Sequence, residues 1–148
     1  MIQQVLFVRG TLDFRLLKDV VIGGTVGYQI YQPRGFERAF HLPTFESNFF
    51  LEYVIRFKQK KKKVQKDSNY LTLRGEFFVN AGIPYLDENQ DIAVLAGLYD
   101  FNVHLQYQIR PKVAAFLSLN NLIDNRNQRW YLYPQLGFNG MAGVEVRF

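Results

Sequence analysis

The stretch IAVLAGLYDFNVHLQYQI, residues 92–109, decides the fold when it is read by alternate residues. Ala93, Leu95, Gly97, Tyr99, Phe101, Val103, Leu105, Tyr107 and Ile109 carry no charge. The residues between them change from Ile92, Val94, Ala96 and Leu98 to Asp100, Asn102, His104, Gln106 and Gln108. A period of two marks a strand, because successive side chains point to opposite faces. Strands of globular proteins commonly end after about five or six residues, so this apolar face needs more to rest against than a small core.

The alternation recurs along the chain. Residues 5–16 set Leu6, Val8, Leu12, Phe14 and Leu16 against Val5, Phe7, Arg9, Thr11, Asp13 and Arg15. Residues 20–31 carry Val20, Ile22, Val26, Tyr28 and Ile30 on one side, and residues 48–57 set Phe49, Leu51, Tyr53, Ile55 and Phe57 against Asn48, Glu52 and Arg56. In residues 70–81, Leu71, Leu73, Phe77 and Val79 oppose Thr72, Arg74, Glu76 and Asn80. Residues 113–120 and 139–148 complete the set, the last with Ala142, Val144, Val146 and Phe148 against Met141, Gly143, Glu145 and Arg147. About seven strands and no helical period predict an all-β antiparallel meander, a single domain over residues 1–148.

The connections alternate in length. Leu17-Lys18-Asp19 and Arg110-Pro111-Lys112 suit tight hairpins, whereas residues 32–46, 82–91 and 121–138 are long and hold every proline but Pro111. The lysine-rich link KQKKKKVQK, residues 58–66, falls at the short-turn end by strand counting and is longer than its companions. It carries much of the net charge of +5. A basic run can bind phosphate, but no aromatic platform or helix accompanies it, so it reads as a solvated turn with no nucleic-acid partner.

Apolar residues make up 48% and aromatics 16% of the chain, yet no run of about 18 apolar residues predicts a spanning helix. A membrane role must therefore use strands. There is no cysteine, which excludes disulfides and thiolate chemistry. The opening MIQQVLFVRG does not read as a secretory signal, so a secreted reading requires an upstream part.

A soluble barrel turns its apolar face inward, and an outer-membrane barrel turns it toward lipid. Several segments reach the 9 to 11 residues or so that a tilted strand needs to cross a bilayer. The uncharged face suits lipid, since a basic side chain near the bilayer centre costs about 2–4 kcal/mol. The opposite face then lines a lumen with Arg9, Asp13, Glu52, Arg56, Arg74, Glu76, Asp100, Asn102 and His104. Short turns at one end and long loops at the other fit the membrane barrel, and Tyr28, Tyr53, Phe57 and Tyr107 fall near strand ends, where such rings suit an interface. In the hairpin around the lysine run, antiparallel pairing sets Glu52 near Arg74.

The final stretch, NNLIDNRNQRWYLYPQLGFNGMAGVEVRF, residues 120–148, resembles the C-terminal end of TonB-dependent outer-membrane receptors. The matching pieces are Asn121-Leu122-Ile123-Asp124 after a strand, an aromatic loop with Tyr133-Pro134, Gly137 before the last strand, and alternating Ala142, Val144, Val146 and Phe148. Phe138 stands where the family commonly has arginine. The resemblance implies a larger barrel in the cell outer membrane, typically of 22 strands around a plug, importing ferric siderophores or similar nutrients with energy from TonB. It also implies that Phe148 is the signal read by the barrel-assembly machinery. Neither a plug nor a TonB-contacting segment is present, so the chain reads as the C-terminal part of such a barrel, meeting TonB through the absent plug and facing outer-membrane lipid.

Candidate chemistry outside the barrel pattern is sparse. Arg129, Trp130, Tyr131 and Tyr133 are possible outer-loop ligand contacts through stacking and charge, or anchors at the membrane surface. Asp87, Glu88 and Asp91 could gather a cation or simply solvate a loop. His41 and His104 are the only histidines, and no nucleophile motif, metal spacing or cofactor motif appears, so no enzymatic activity is expected. A non-transporting structural or adhesion barrel and a soluble lipid-binding barrel are the other readings of the same pattern.

Overall fold

A computed structural model describes residues 2–33, 39–57 and 69–148; the lysine run at residues 58–66 lies outside the described residues. The strands are β1 (Ile2–Leu17), β2 (Val20–Pro33), β3 (Phe45–Arg56), β4 (Tyr70–Ala81), β5 (Ile83–Leu86), β6 (Ile92–Leu95), β7 (Leu98–Arg110), β8 (Val113–Asn120), β9 (Gln128–Trp130), β10 (Tyr133–Pro134) and β11 (Asn139–Val146). Seven of them form one sheet in the order β1-β2-β3-β4-β7-β8-β11, each pair antiparallel. The protein is thus an all-β antiparallel meander, with no helix among the described residues. Two small ribbons, β5–β6 and β9–β10, lie outside the sheet.

One expected strand is broken. The alternation of residues 92–109 runs through Ala96 and Gly97, but the chain leaves the sheet there, and residues 92–95 pair with residues 83–86 instead. Glycines make both corners possible. Gly82 has a φ of 67°, a conformation that glycine adopts without strain, and packs against Thr44, which donates its backbone N–H to the Ala81 carbonyl at 3.1 Å. Gly97 lies so close to the Tyr99 ring that a Cβ there would meet its oxygen at 2.9 Å.

The turns sort by end. Lys18–Asp19 and Pro111–Lys112 join neighbouring strands by two residues, whereas β2 to β3, β4 to β7 and β8 to β11 connect through the long segments at the other end. The register puts every charge of the sheet on one side. Arg15, Val21, Glu52, Arg74, His104, Ser118 and Met141 form one cross-strand row, and Asp13, Gly23, Phe50, Glu76 and Asn102 another. Rows on the opposite side read Leu12-Gly24-Phe49-Phe77-Phe101 and Val20-Tyr53-Leu73-Leu105-Leu117-Ala142.

That uncharged side is bare. Leu12 is 70% exposed, Val144 65% and, even in the middle of the sheet, Phe77 38%. Among the described residues the buried apolar side chains are Ile83, Leu98 and Ala114. The accessible surface of 11191 Å² exceeds the value of about 7,900 Å² expected of a folded 17.4 kDa monomer. The described strands therefore present an apolar face with few side chains buried against it.

Aromatic rings replace some of the missing packing by lying over glycines of neighbouring strands, a device that steadies strand positions lacking a side chain. Phe50 lies over Gly23, Phe49 over Gly24 and Phe116 over Gly143. At Gly23 an added side chain would collide with the Asp13 carboxylate and with the Phe50 ring, 2.6 Å from its nearest carbon, whereas nothing stands within 4 Å of such a group at Gly10. Gly23→Val should therefore destabilise the sheet by about 1–3 kcal/mol, and Gly10→Val should be neutral or stabilising. Denaturant unfolding of the two variants in detergent micelles measures the contrast.

Candidate functional site

The polar side of the sheet centres on Arg74. Its Nε donates to Glu76 Oε1 at 2.7 Å, its NH1 group reaches Glu52 Oε2 at 3.3 Å, and its guanidinium carbon lies 4.1 Å from the centre of the Phe50 ring. The register explains the set: Glu52 is directly opposite on β3, and Glu76 is two residues along β4. The ring approaches because Gly23 leaves room beneath it. Both carboxylates and the guanidinium are about a third exposed, so water screens the attraction and the triad positions side chains more than it stabilises the fold.

Beside the triad, Arg74, Glu76, Asn102, His104, Ser118 and Asn120 line a cleft of 290 Å³. His104 Nδ1 and Ser118 Oγ share a hydrogen bond of 2.8 Å across β7 and β8, and the imidazole stacks on Phe116 with ring centres 6.2 Å apart. No carboxylate bonds this imidazole among the described residues, so the pair is a cross-strand tie without the third group that orients a catalytic base. Gln106 donates to Glu145 at 3.3 Å and extends the polar surface to β11.

The other expected polar residues share this face but separate into local roles. Arg56 pairs at 2.8 Å with Asp19 of the first hairpin turn. Arg9 lies 4.8 Å from the Phe7 ring centre, and Asp13 sits opposite Gly23. Asn102 anchors a loop, its Oδ1 accepting the Asn121 N–H at 2.9 Å. One oxygen of Asp100 is buried without a hydrogen-bond partner.

The stretch from Asn120 to Asn127 is knitted by its own side chains. Buried Asn121, with φ at 51°, donates from Nδ2 to the carbonyls of Asn125 (2.8 Å) and Leu136 (3.0 Å) and accepts the Asn125 N–H at 3.0 Å. Asn127 Nδ2 donates to the Gly97 carbonyl at 2.7 Å, tying this loop to the corner where the chain re-enters the sheet. Asp124 Oδ1 accepts the Phe138 N–H at 3.0 Å and the Arg126 Nε–H at 3.1 Å. These roles follow from the capacity of asparagine and aspartate to bond nearby backbone. Composition marks this loop as polar, but it does not say which carbonyls are tied.

The aromatic loop is placed by β9 and β10. Trp130 packs on His41, ring centres 5.2 Å apart, and Tyr131 stacks on Tyr85 at 4.5 Å. His41, Trp130, Tyr131 and Tyr133 line a cleft of 410 Å³. Burial of the Tyr131 ring, and then the charges of Glu88 and Asp87, hold its phenol above the ordinary value. Arg129 is exposed and does not line this cleft, and Phe148 is fully exposed. Asp87 Oδ1 accepts the N–H groups of Asn89 and Asp91, both at 2.8 Å, so that carboxylate closes a turn. Among the described residues no three metal-ligating side chains gather. His41 and Tyr85 are contacts that strand alternation does not reveal.

No protein-family model, curated protein or solved structure matches the chain. The class is therefore defined by the fold itself, an all-β antiparallel meander whose architecture fits a β-barrel.

Asp124 gives a pH dependence. The Phe138 N–H first, and then Arg126, hold its carboxyl below the ordinary carboxylate value. A depressed folded value means the loop tie is complete above the unfolded carboxylate range and is lost as pH falls through the folded value. Amide exchange at Phe138, corrected for intrinsic rates, should be slow near neutral pH and accelerate in acid. In Asp124→Ala it should be fast throughout.

Proposed function

We propose that this chain is a section of the wall of an outer-membrane β-barrel, of the TonB-dependent receptor class that takes up ferric siderophores or similar nutrients. The uncharged, uncovered face of the seven-stranded sheet carries the reading: it is the face lipid requires, and no other part of the described chain packs over it. Two rows of rings support it. Tyr99 and Tyr107 are separated by eight positions on β7, about 26 Å along the strand at ~3.3 Å per residue and about 20 Å along the membrane normal at the ~40° tilt of barrel strands. Phe45 and Tyr53 bracket the same number of positions on β3. Aromatic girdles flank an apolar band about 25 Å tall in membrane barrels, somewhat taller than the projected span of these ring pairs.

The polar rows then line the lumen, with Arg74 and its two carboxylates at the centre. The knitted loop after β8 and the aromatic loop lie on the outer side with the long connections. The uptake class itself rests on the resemblance of residues 120–148, which also supports TonB acting through a plug and Phe148 meeting the barrel-assembly machinery.

Val103 stands midway between the two β7 tyrosines on the uncharged face, and Gln106 lies on the polar one. If the sheet spans a bilayer in this sense, Val103→Arg should weaken folding into lipid vesicles by about 2–4 kcal/mol. Gln106→Arg, which keeps a donor for Glu145, should change it by less than about 1 kcal/mol. Equal effects, or the reverse order, would exclude the orientation. Specific solute flux through vesicles holding the full barrel separates an uptake receptor from a structural or adhesion barrel.

A further inference from the structure

The glycines of the sheet are not treated alike. Gly23, Gly24, Gly75 and Gly143 each have a phenylalanine ring of an adjacent strand over them, and Gly140 has Leu119 at 3.3 Å. Gly10, on edge strand β1, has nothing within 4 Å of where a side chain would begin. It opens onto a hollow of 550 Å³ walled on the uncharged side by Leu12, Ile22, Gly24, Val26 and Phe49. Among the described strands only β2 pairs with β1, and the other edge of β1 is free.

Charge tells the same story on the other face of β1. Arg74, Arg56 and Arg147 are each held by a carboxylate, while Arg9, Asp13 and Arg15 form no ion pair among the described residues. The opposite edge differs: on β11, Glu145 pairs with Arg147 at 2.7 Å, and Gly143 and Gly140 are both covered. Open glycine and unpaired charges thus coincide on one edge.

We propose that the free edge of β1 receives an antiparallel strand that is not one of the seven, with an aromatic side chain placed over Gly10 and an acidic side chain beside Arg9. This rests on the barrel reading for the direction of the strand. Strand parity excludes the chain's own edges: β1 and β11 both run from the long-loop end to the short-turn end, so β11 of the same or a second copy would lie parallel to β1. Pairing β1 with β1 of a second copy would be antiparallel only with that copy inverted and its long loops on the other side of the bilayer.

The test uses the 148-residue chain in detergent micelles with three synthetic ten-residue strands of alternating apolar and polar residues. One carries Phe at the central apolar position and Glu beside it, the second Ala with Glu, and the third Phe with Lys. The first should bind about threefold to tenfold more tightly than the second, more tightly than the third at low salt, and should slow amide exchange along β1. Gly10→Val should erase the preference for Phe, because a side chain then occupies the hollow. Binding of all three with equal affinity, a Phe preference that survives Gly10→Val, or no binding would overturn the proposal. So would a stable dimer that excludes the peptides, which would assign the edge to a second copy. Failure of the barrel reading shows separately: if Val103→Arg and Gln106→Arg prove equivalent in vesicles while the Phe preference holds in micelles, the edge site stands without the membrane.

Discussion

A sheet that gathers all its charge on one side and leaves the other uncharged must have that second side covered, because exposed apolar surface on this scale marks an interaction face. Here the covering does not come from the described chain. The two ribbons and the long connections gather at one end, and the few buried apolar residues, Ile83 and Leu98 among them, sit there or, like Ala114, near the opposite hairpin. Each remaining feature accommodates this constraint. Rings lie over glycines where side chains are absent, ion pairs collect on the polar face, and two of the connections at one end, β1 to β2 and β7 to β8, are two residues long.

The polar face is held differently. Arg74, Glu52, Glu76 and Phe50 form a screened cluster whose geometry depends on cross-strand register, so a slip of one residue would carry Arg74 to the uncharged face. The loop after β8 reinforces that register from outside the sheet. The Asn121 backbone N–H donates to the Asn102 side chain on β7, Asn127 donates to the Gly97 carbonyl at its entry corner, and Asp124 fixes the approach to β11. Asn121 and Asp124 therefore have a mechanical role in this chain: they set the last strand in place.

Alternation made the strands, their faces and the Glu52–Arg74 pairing legible, since parity along an antiparallel hairpin fixes which side chains meet. It did not reveal the break at Ala96 and Gly97, because residues on either side stay in phase across a corner. The one trace is that both parities are apolar from Ile92 to Leu98, which suits a ribbon turning away from the sheet better than a two-faced strand. The stacking of Trp130 on His41 and of Tyr131 on Tyr85 was beyond reach for another reason: it joins loops distant in sequence, whose meeting depends on the whole sheet. The aromatic residues were visible as candidates, but their partners were not.

Depth-resolved fluorescence quenching measures whether lipid covers the uncharged face. With Trp130 replaced by Phe, single tryptophans at Phe101, Val103 and Leu105, and in turn at Asn102, His104 and Gln106, are read in vesicles containing lipids brominated along the acyl chain. A lipid-covered uncharged face gives strong quenching at the first three positions, deepest at Val103, and weak quenching at the second three. Uniform quenching, or quenching confined to the even positions, would contradict it.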